Sequence, residues 1–406
     1  MRATRPTHKL TKILTAVFLA FALVPAASGG VKYKVLHSFG SGKDGPGVPS
    51  GPLLLGRNGN LYGNTYRVSF ELAPQANGKW KEAILHTFAS DDALPWGALI
   101  SDRVGNLYGT TDGGGGDSEV FELSLASNGW TYSALYNDAV GNGLLMDKAG
   151  NLYGEIGRGQ YKYGAVGELS PGLEAGGWVY TPLYSFCSQY CPDGWGLVQA
   201  PIWDGKGNLY GATPDGGNGP PFCANGEGGC GVIFKMTPNQ DGTWTYHVLH
   251  RFASSATDGQ NPNGGLAMDA SGNLYGVTVY GGAYNRGIVF KLTFAGGHWK
   301  ETTLYDFPNC ADGCYPAGTP AFDKAGNLYA TASGGLGDCG GFTCGVVFKL
   351  TPQQNGTWKY NVVYKLHGTD GNFLPYGVIV DSKGNIFGTT SAGGTYNSGV
   401  AFEITP

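Results

Sequence analysis

Asp269-Ala270-Ser271-Gly272-Asn273-Leu274-Tyr275-Gly276 decides the fold, because the chain repeats this phrase or a close variant seven times. Gly-Asn-Leu-Tyr-Gly begins at Gly59, Gly105, Gly150, Gly207 and Gly272. Gly326-Asn327-Leu328-Tyr329-Ala330 and Gly384-Asn385-Ile386-Phe387-Gly388 complete the set. The aromatic positions 62, 108, 153, 210, 275, 329 and 387 lie 45 to 65 residues apart, and residues 29–406 shared among seven copies give 54 each. Internal self-similarity of this period marks a repeat architecture, in which each unit buries its apolar faces against its neighbours.

Each copy carries three further strings. A short apolar run such as Gly265-Leu266-Ala267-Met268-Asp269 precedes the motif, and Phe290-Lys291-Leu292 or its equivalent follows it. A segment opening with Trp80, Trp130, Trp178, Trp244, Trp299 or Trp358 comes next. In the fifth copy GLAMD, NLYGVTV, GIVFKLT and WKETTLYDF therefore read as four strands separated by turn chemistry. Asp caps the first turn through its side chain, and Gly supplies the positive φ of a tight hairpin. The chain starts with Tyr33-Lys34-Val35-Leu36-His37-Ser38-Phe39, a fourth strand without a blade, and finishes with three strands that lack a fourth. The expected fold is all-β: a seven-bladed β-propeller of four-stranded antiparallel blades, closed 3+1 by the N-terminal strand. An open β-solenoid is the alternative.

The full unit is Trp-x4-Leu-Tyr-x-Phe, Asp-Gly, Pro-x-Gly-Leu, Asp-x-x-Gly-Asn-Leu-Tyr-Gly-x-Thr, Gly-Gly and Gly-Val-Val-Phe-Lys-Leu-Thr. It resembles the GloVer tandem repeat of exported bacterial proteins over residues 31–406. That resemblance implies a repeat fold and export; it brings no catalytic residue with it. Many relatives end in a sorting or anchoring segment, which this sequence is expected to lack. The Asp-x-x-Gly-Asn-Leu turn is also similar to that of lactonase-like and streptogramin-lyase-like propellers.

Composition agrees with short strands and many turns. Gly numbers 71 of 406, about 17 per cent against roughly 7 per cent in ordinary chains. Charged residues are 14 per cent, aromatics 13 per cent and hydrophobics 41 per cent, which excludes disorder. A net charge of −4 gives no footprint for nucleic acid. Arg2, Arg5, Lys9 and Lys12 lead into the apolar run Ile13–Val24 and then Pro25-Ala26-Ala27-Ser28. This order is that of a secretory signal peptide, expected to cover residues 1–28 and to leave a secreted or periplasmic monomer without a membrane anchor.

The strand 2–3 loops and the blade-to-blade loops share one face, and they vary most. The distance from the motif Tyr to the next Phe is 8 residues in the first copy and 24 in the fourth. Binding is expected on this upper face, near the central channel. Its cysteines fall in two groups, Cys187, Cys191, Cys223 and Cys230, then Cys310, Cys314, Cys339 and Cys344. In an exported chain they read as disulfides stapling the long loops, with pairing inside each loop favoured (Cys187–Cys191, Cys223–Cys230) and a zinc site the alternative.

Asp44, Asp92, Asp193, Asp258, Asp312 and Asp370 recur before turns in the blade-to-blade loops. They would form a ring of carboxylates able to take Ca²⁺ or act as acid and base, but repetition in nearly every blade favours a turn role. No other cofactor is expected. Trp96, Trp195, Tyr280, Tyr284, Tyr315, Phe342 and Tyr396 supply aromatic rings on the same face, and Gly-Gly-x-Tyr-Asn-x-Gly presents Tyr284 with Asn285 and Tyr396 with Asn397. Rings beside Asp and Asn suit sugar faces and hydroxyls. His37, His86 and His250 stand where other copies have Tyr, which is a packing position. The function expected is non-catalytic recognition of an extracellular glycan. The alternatives are a lyase or glycoside hydrolase using Asp193, Asp258 and Asp312, and a protein-binding envelope scaffold.

Overall fold

A computed structural model describes residues 30–42, 47–89, 94–113, 118–127, 129–173, 177–187, 191–217, 229–335, 339 and 344–406. The signal-peptide segment, Asp44, Asp92, Cys223 and Phe342 lie outside the described residues. Seven four-stranded antiparallel sheets form the blades of a propeller. Six are continuous in sequence and span residues 54–87, 94–137, 139–185, 202–251, 267–306 and 314–365. The seventh uses Ile379–Val380, Ile386–Thr389 and Val400–Thr405, with Lys32–Ser38 as its outer strand. Lys32 pairs with Thr405 and Ser38 with Val400.

In six blades the Asp of the repeated phrase caps its own hairpin, and the first blade has Gly56 in its place. In the fifth, Asp269 Oδ1 accepts the backbone N–H groups of Ser271 at 2.9 Å and Asn273 at 3.0 Å. Its Oδ2 accepts Asn273 Nδ2 at 2.7 Å and the Tyr275 hydroxyl at 2.9 Å. Gly272 takes φ +80°. One carboxylate thus satisfies four donors of its own hairpin. Burial works to raise the Asp269 pKa, and the bonds from Asn273, Tyr275 and Ser271 outweigh it and hold the carboxyl below its ordinary value.

The closing Gly of the phrase has a packing reason. Gly63, Gly109, Gly211, Gly276 and Gly388 pair across the sheet with Phe70, Phe121, Phe234, Phe290 and Phe402, whose rings are fully buried. A Cβ on Gly276 would stand 2.4 Å from Phe290 Cζ. The third blade has Gly167 in place of the Phe, and the Tyr180 ring fills the space.

Aromatic pairs join successive blades. The strand-four Trp meets the motif aromatic of the preceding blade nearly edge-on: Trp130 on Tyr62, Trp178 on Tyr108, Trp299 on Tyr210 and Trp358 on Tyr275. The centroids lie 6.0–6.4 Å apart at 65–68°. Trp80 of the first blade meets Phe387 of the seventh at 6.4 Å in the same way. Farther out, Tyr184 stacks on Tyr246 at 4.0 Å, Tyr305 on Tyr360 at 4.1 Å and His86 on Tyr132 at 4.3 Å. His37 instead reaches Glu82 at 3.4 Å, again between the seventh and first blades. Such pairs are worth about 0.5–1.5 kcal/mol each beyond the area they bury.

Three disulfides staple the loops, Cys187–Cys191, Cys310–Cys314 and Cys339–Cys344, so pairing is local in each. Cys230 is also disulfide-bonded. Bonds of this kind persist in oxidising compartments outside the cytosol.

Candidate functional site

The inner strands of the blades carry a second repeated frame. Pro49-Ser50-Gly51, Pro95-Trp96-Gly97, Pro262-Asn263-Gly264, Pro316-Ala317-Gly318 and Pro375-Tyr376-Gly377 occupy equivalent places, and Asn142-Gly143 stands there in the third blade. The glycines bring neighbouring blades together around the axis. A Cβ on Gly51 would lie 2.2 Å from Gly97 O, and one on Gly318 would lie 2.0 Å from Gly377 N. Gly97 N donates to Ser50 O at 2.9 Å, and Gly318 N to Asn263 O at 3.0 Å. The Gly recurs in six blades and the Pro in five, while the residue before the Gly varies: Ser50, Trp96, Asn142, Asn263, Ala317 and Tyr376.

Trp96, Asn142, Asn263, Ala317 and Tyr376 of this frame, with Gln199 of the fourth blade, line a cavity of about 670 Å³ touched by all seven blades, which places it on the propeller axis. Its aromatic wall is Tyr66, Trp96, Tyr280, Tyr315, Phe373 and Tyr376, and its amides are Asn142, Gln199 and Asn263. Tyr66 and Trp96 lie 5.5 Å apart, and Tyr280 meets Tyr315 at 5.8 Å. Tyr315 and Phe373 are 37 and 46 per cent exposed. Both hold a left-handed backbone, φ 54° and 58°. Bulky residues rarely accept that conformation, at a cost of about 1–3 kcal/mol, and such strain gathers at functional sites.

A second cavity of about 710 Å³ shares Asn142, Val198 and Asn263 with the first and extends over the third, fourth and fifth blades. Tyr163 and Trp195 wall it, 5.9 Å apart, and Arg158, Lys162, Glu155 and Asp215 supply charge. Glu155 is 4 per cent exposed. Its Oε2 accepts Leu197 N–H at 2.9 Å and Asn142 Nδ2 at 3.4 Å, and Asn142 in turn donates to Leu197 O. Its Oε1 lies where a Cβ on residue 164 would be, a place left open by Gly164. Burial drives the Glu155 carboxyl up to about 7, against the pull of those two hydrogen bonds, and burial raises Asp215 as well.

The cavities gather four of the aromatics expected from sequence, Trp96, Trp195, Tyr280 and Tyr315. Tyr284 and Tyr396 stand apart from both, each 53 per cent exposed. Asn285 and Asn397 cap their own loops, accepting Gly281 N–H at 3.0 Å and Gly393 N–H at 3.1 Å.

The inter-blade carboxylates also sit away from the axial cavities, braced to outer strands. Asp193 accepts the Tyr184 hydroxyl at 2.6 Å and Cys187 N–H at 3.1 Å; Asp370 accepts the Tyr364 hydroxyl at 2.6 Å and His367 N–H at 2.7 Å. Asp258 takes His250 Nε2 at 3.2 Å and Ser254 N–H at 2.9 Å, and Asp312 pairs with Lys365 at 2.8 Å. One cross-brace thus recurs with Tyr, His or Lys as donor. Among the described residues no group of three or more His, Cys, Asp or Glu is placed to hold a metal ion.

Sequence reading missed Glu155, Tyr66, Asn142, Gln199, Asn263, Phe373 and Tyr376. For Asn142, Asn263, Tyr376 and Glu155 the signal was present in two columns, the residue before the frame's Gly and the residue after Gly-Asn-Leu-Tyr-Gly, whereas Tyr66, Gln199 and Phe373 lie outside both. The second column reads Asn64, Thr110, Glu155, Ala212, Val277, Thr331 and Thr389. A cavity of about 750 Å³ on the opposite face is lined by the hairpin turns, and its Asp102, Asp147 and Asp204 are engaged within them.

Solved structures share the fold at low identity. Virginiamycin B lyase from Staphylococcus aureus, as a catalytically inactive variant with quinupristin, is 13% identical with a TM-score of 0.58, covering 93% of this chain and 99% of that one. An ancestral GH74 enzyme is 11% identical with a TM-score of 0.57, over 88% of this chain and 47% of its own. The extracellular domain of a hybrid two component system of B. thetaiotaomicron is 10% identical with a TM-score of 0.56, over 91% and 39%. Enzymes and the extracellular domain of a two component system therefore share this scaffold, and fold does not choose between them. No curated protein matches the sequence. The model of the Gloeobacter/Verrucomicrobia repeat matches residues 202–406, the half of the chain holding the fourth to seventh motifs, and the chain belongs to that family.

Proposed function

We propose that the protein is exported to the cell exterior or periplasm and recognises a carbohydrate in the axial cup. The single observation that carries this reading is the cup's lining: six aromatic side chains converge with three amides on one cavity. Sugar rings present apolar C–H faces to aromatic planes and hydroxyls to amides, so such a wall binds them without needing charge. Local disulfides and the basic-then-apolar start of the chain support export. The test is depletion of the protein from solution by a panel of insoluble plant, algal and bacterial polysaccharides. Retention on at least one, reversed by its soluble oligosaccharide, is expected; absence of retention across the panel overturns the reading.

A further inference from the structure

Glu155 is the only acid in a column that six other blades fill with Asn, Thr, Ala or Val. Taking a carboxyl out of water without a cation beside it is unfavourable, and proteins keep such groups chiefly where their chemistry is used. Arg158, three residues on, turns instead to Asp138 at 2.9 Å, and among the described residues no cation pairs with Glu155. The carboxyl is nonetheless held firmly. Two N–H groups fix Oε2, which leaves Oε1 as the oxygen that carries a proton, and Gly164 is shaped around it. A second acid, Asp215, lines the same cavity from the fourth blade.

We propose that this cavity hydrolyses a glycosidic bond, with Glu155 as the proton donor and Asp215 as the base; the proposal rests on the carbohydrate reading above. A donor must hold its proton near neutral pH and its partner must be ionised; Glu155 is fully buried, whereas Asp215 is only partly so. Asp215 removes a proton from a water molecule as the water oxygen bonds to the anomeric carbon. The bond from that carbon to the departing sugar oxygen breaks, and its electron pair takes the Glu155 proton. The products are two free sugar ends, and a proton passed from Asp215 to Glu155 through solvent restores both groups. Lys162 and Arg158 border the cavity from the loop that follows Glu155, and Asp138 offsets Arg158, so the charge felt by the pair comes from Lys162 and from each other. Burial, which lifts the Glu155 carboxyl to about 7, sets the upper limit of the active pH range.

The test incubates the full chain with neutral and acidic oligosaccharides and polysaccharides from pH 5 to 8. Protein depletion and released fragments are followed by mass spectrometry. Hydrated fragments are expected, with kcat falling as pH rises past about 7. Glu155→Gln and Asp215→Asn should each lower kcat at least about 100-fold, with KM changed by less than about threefold. Should Glu155→Gln fold poorly, Asp215→Asn and the wild-type pH profile still decide the matter. Retention on a glycan without fragments overturns the hydrolytic proposal and leaves recognition standing. Unsaturated fragments, or undiminished turnover in both variants, overturn the assignment of these acids. Neither retention nor fragments removes the carbohydrate reading as well.

Discussion

A single carboxyl shows how far one residue can depart from its repeat. Glu155 titrates near 7 because burial opposes its ionised form, whereas a carboxylate of this kind ordinarily titrates near 4.5. The folded chain therefore holds more protons than the unfolded chain between those two values, so stability is greater at the acid end of the window and declines as pH rises through it. Glu301, lifted to about 7 by burial and then by Asp258, works in the same direction. Glu155→Gln removes one of these titrations. Its stability relative to wild type should rise between pH 4.5 and 8 by on the order of 3 kcal/mol, read from denaturant midpoints at both ends. Parallel pH dependences for the two proteins would show that Glu155 is not a buried acid. The residue was visible in the sequence but looked ordinary, since a lone Glu in a strand says nothing of its neighbours. Only the comparison of seven equivalent positions, and the closure of Asn142 and Leu197 over it, give it meaning.

At the scale of the strand and turn, the sequence was most transparent. The Asp-x-x-Gly-Asn hairpin is local: its donors and its acceptor lie within six residues, so the turn can be deduced without knowing the fold. The closing Gly of the phrase is different, because its reason is the Phe of the adjoining strand. Gly276→Val should crowd Phe290 and cost about 1–3 kcal/mol in thermal or denaturant unfolding. Gly276→Ala should cost less, since Ala330 already stands opposite Phe348 in the sixth blade. An unchanged midpoint for the Val variant would mean that the ring is not seated over this Gly. The inter-blade Asp residues were ambiguous in sequence for the same reason: a carboxylate before Gly fits a loop turn or a ligand ring equally well. Their partners, Tyr184, His250, Lys365 and Tyr364, come from strands remote from the axis.

The whole molecule turns a repeated sequence into a site that does not repeat. The blade count and the strand order were legible because hydrophobic runs, turns and Trp positions recur at one period. The cup was not, because its residues are scattered along the chain from Tyr66 to Ser391 and meet only where the seven blades converge. Aromatics on the outer loops, Tyr284 and Tyr396, looked as suitable as Trp96 until the axis was known. The measurement that separates these surfaces most directly is a titration of the retained oligosaccharide into wild type, Trp96→Ala and Tyr284→Ala. Recognition in the axial cup predicts that Trp96→Ala weakens binding by about tenfold or more, a loss of about 1.4 kcal/mol, while Tyr284→Ala binds as wild type does. Binding that survives Trp96→Ala and is lost with Tyr284→Ala would place recognition on the outer loops and contradict the account.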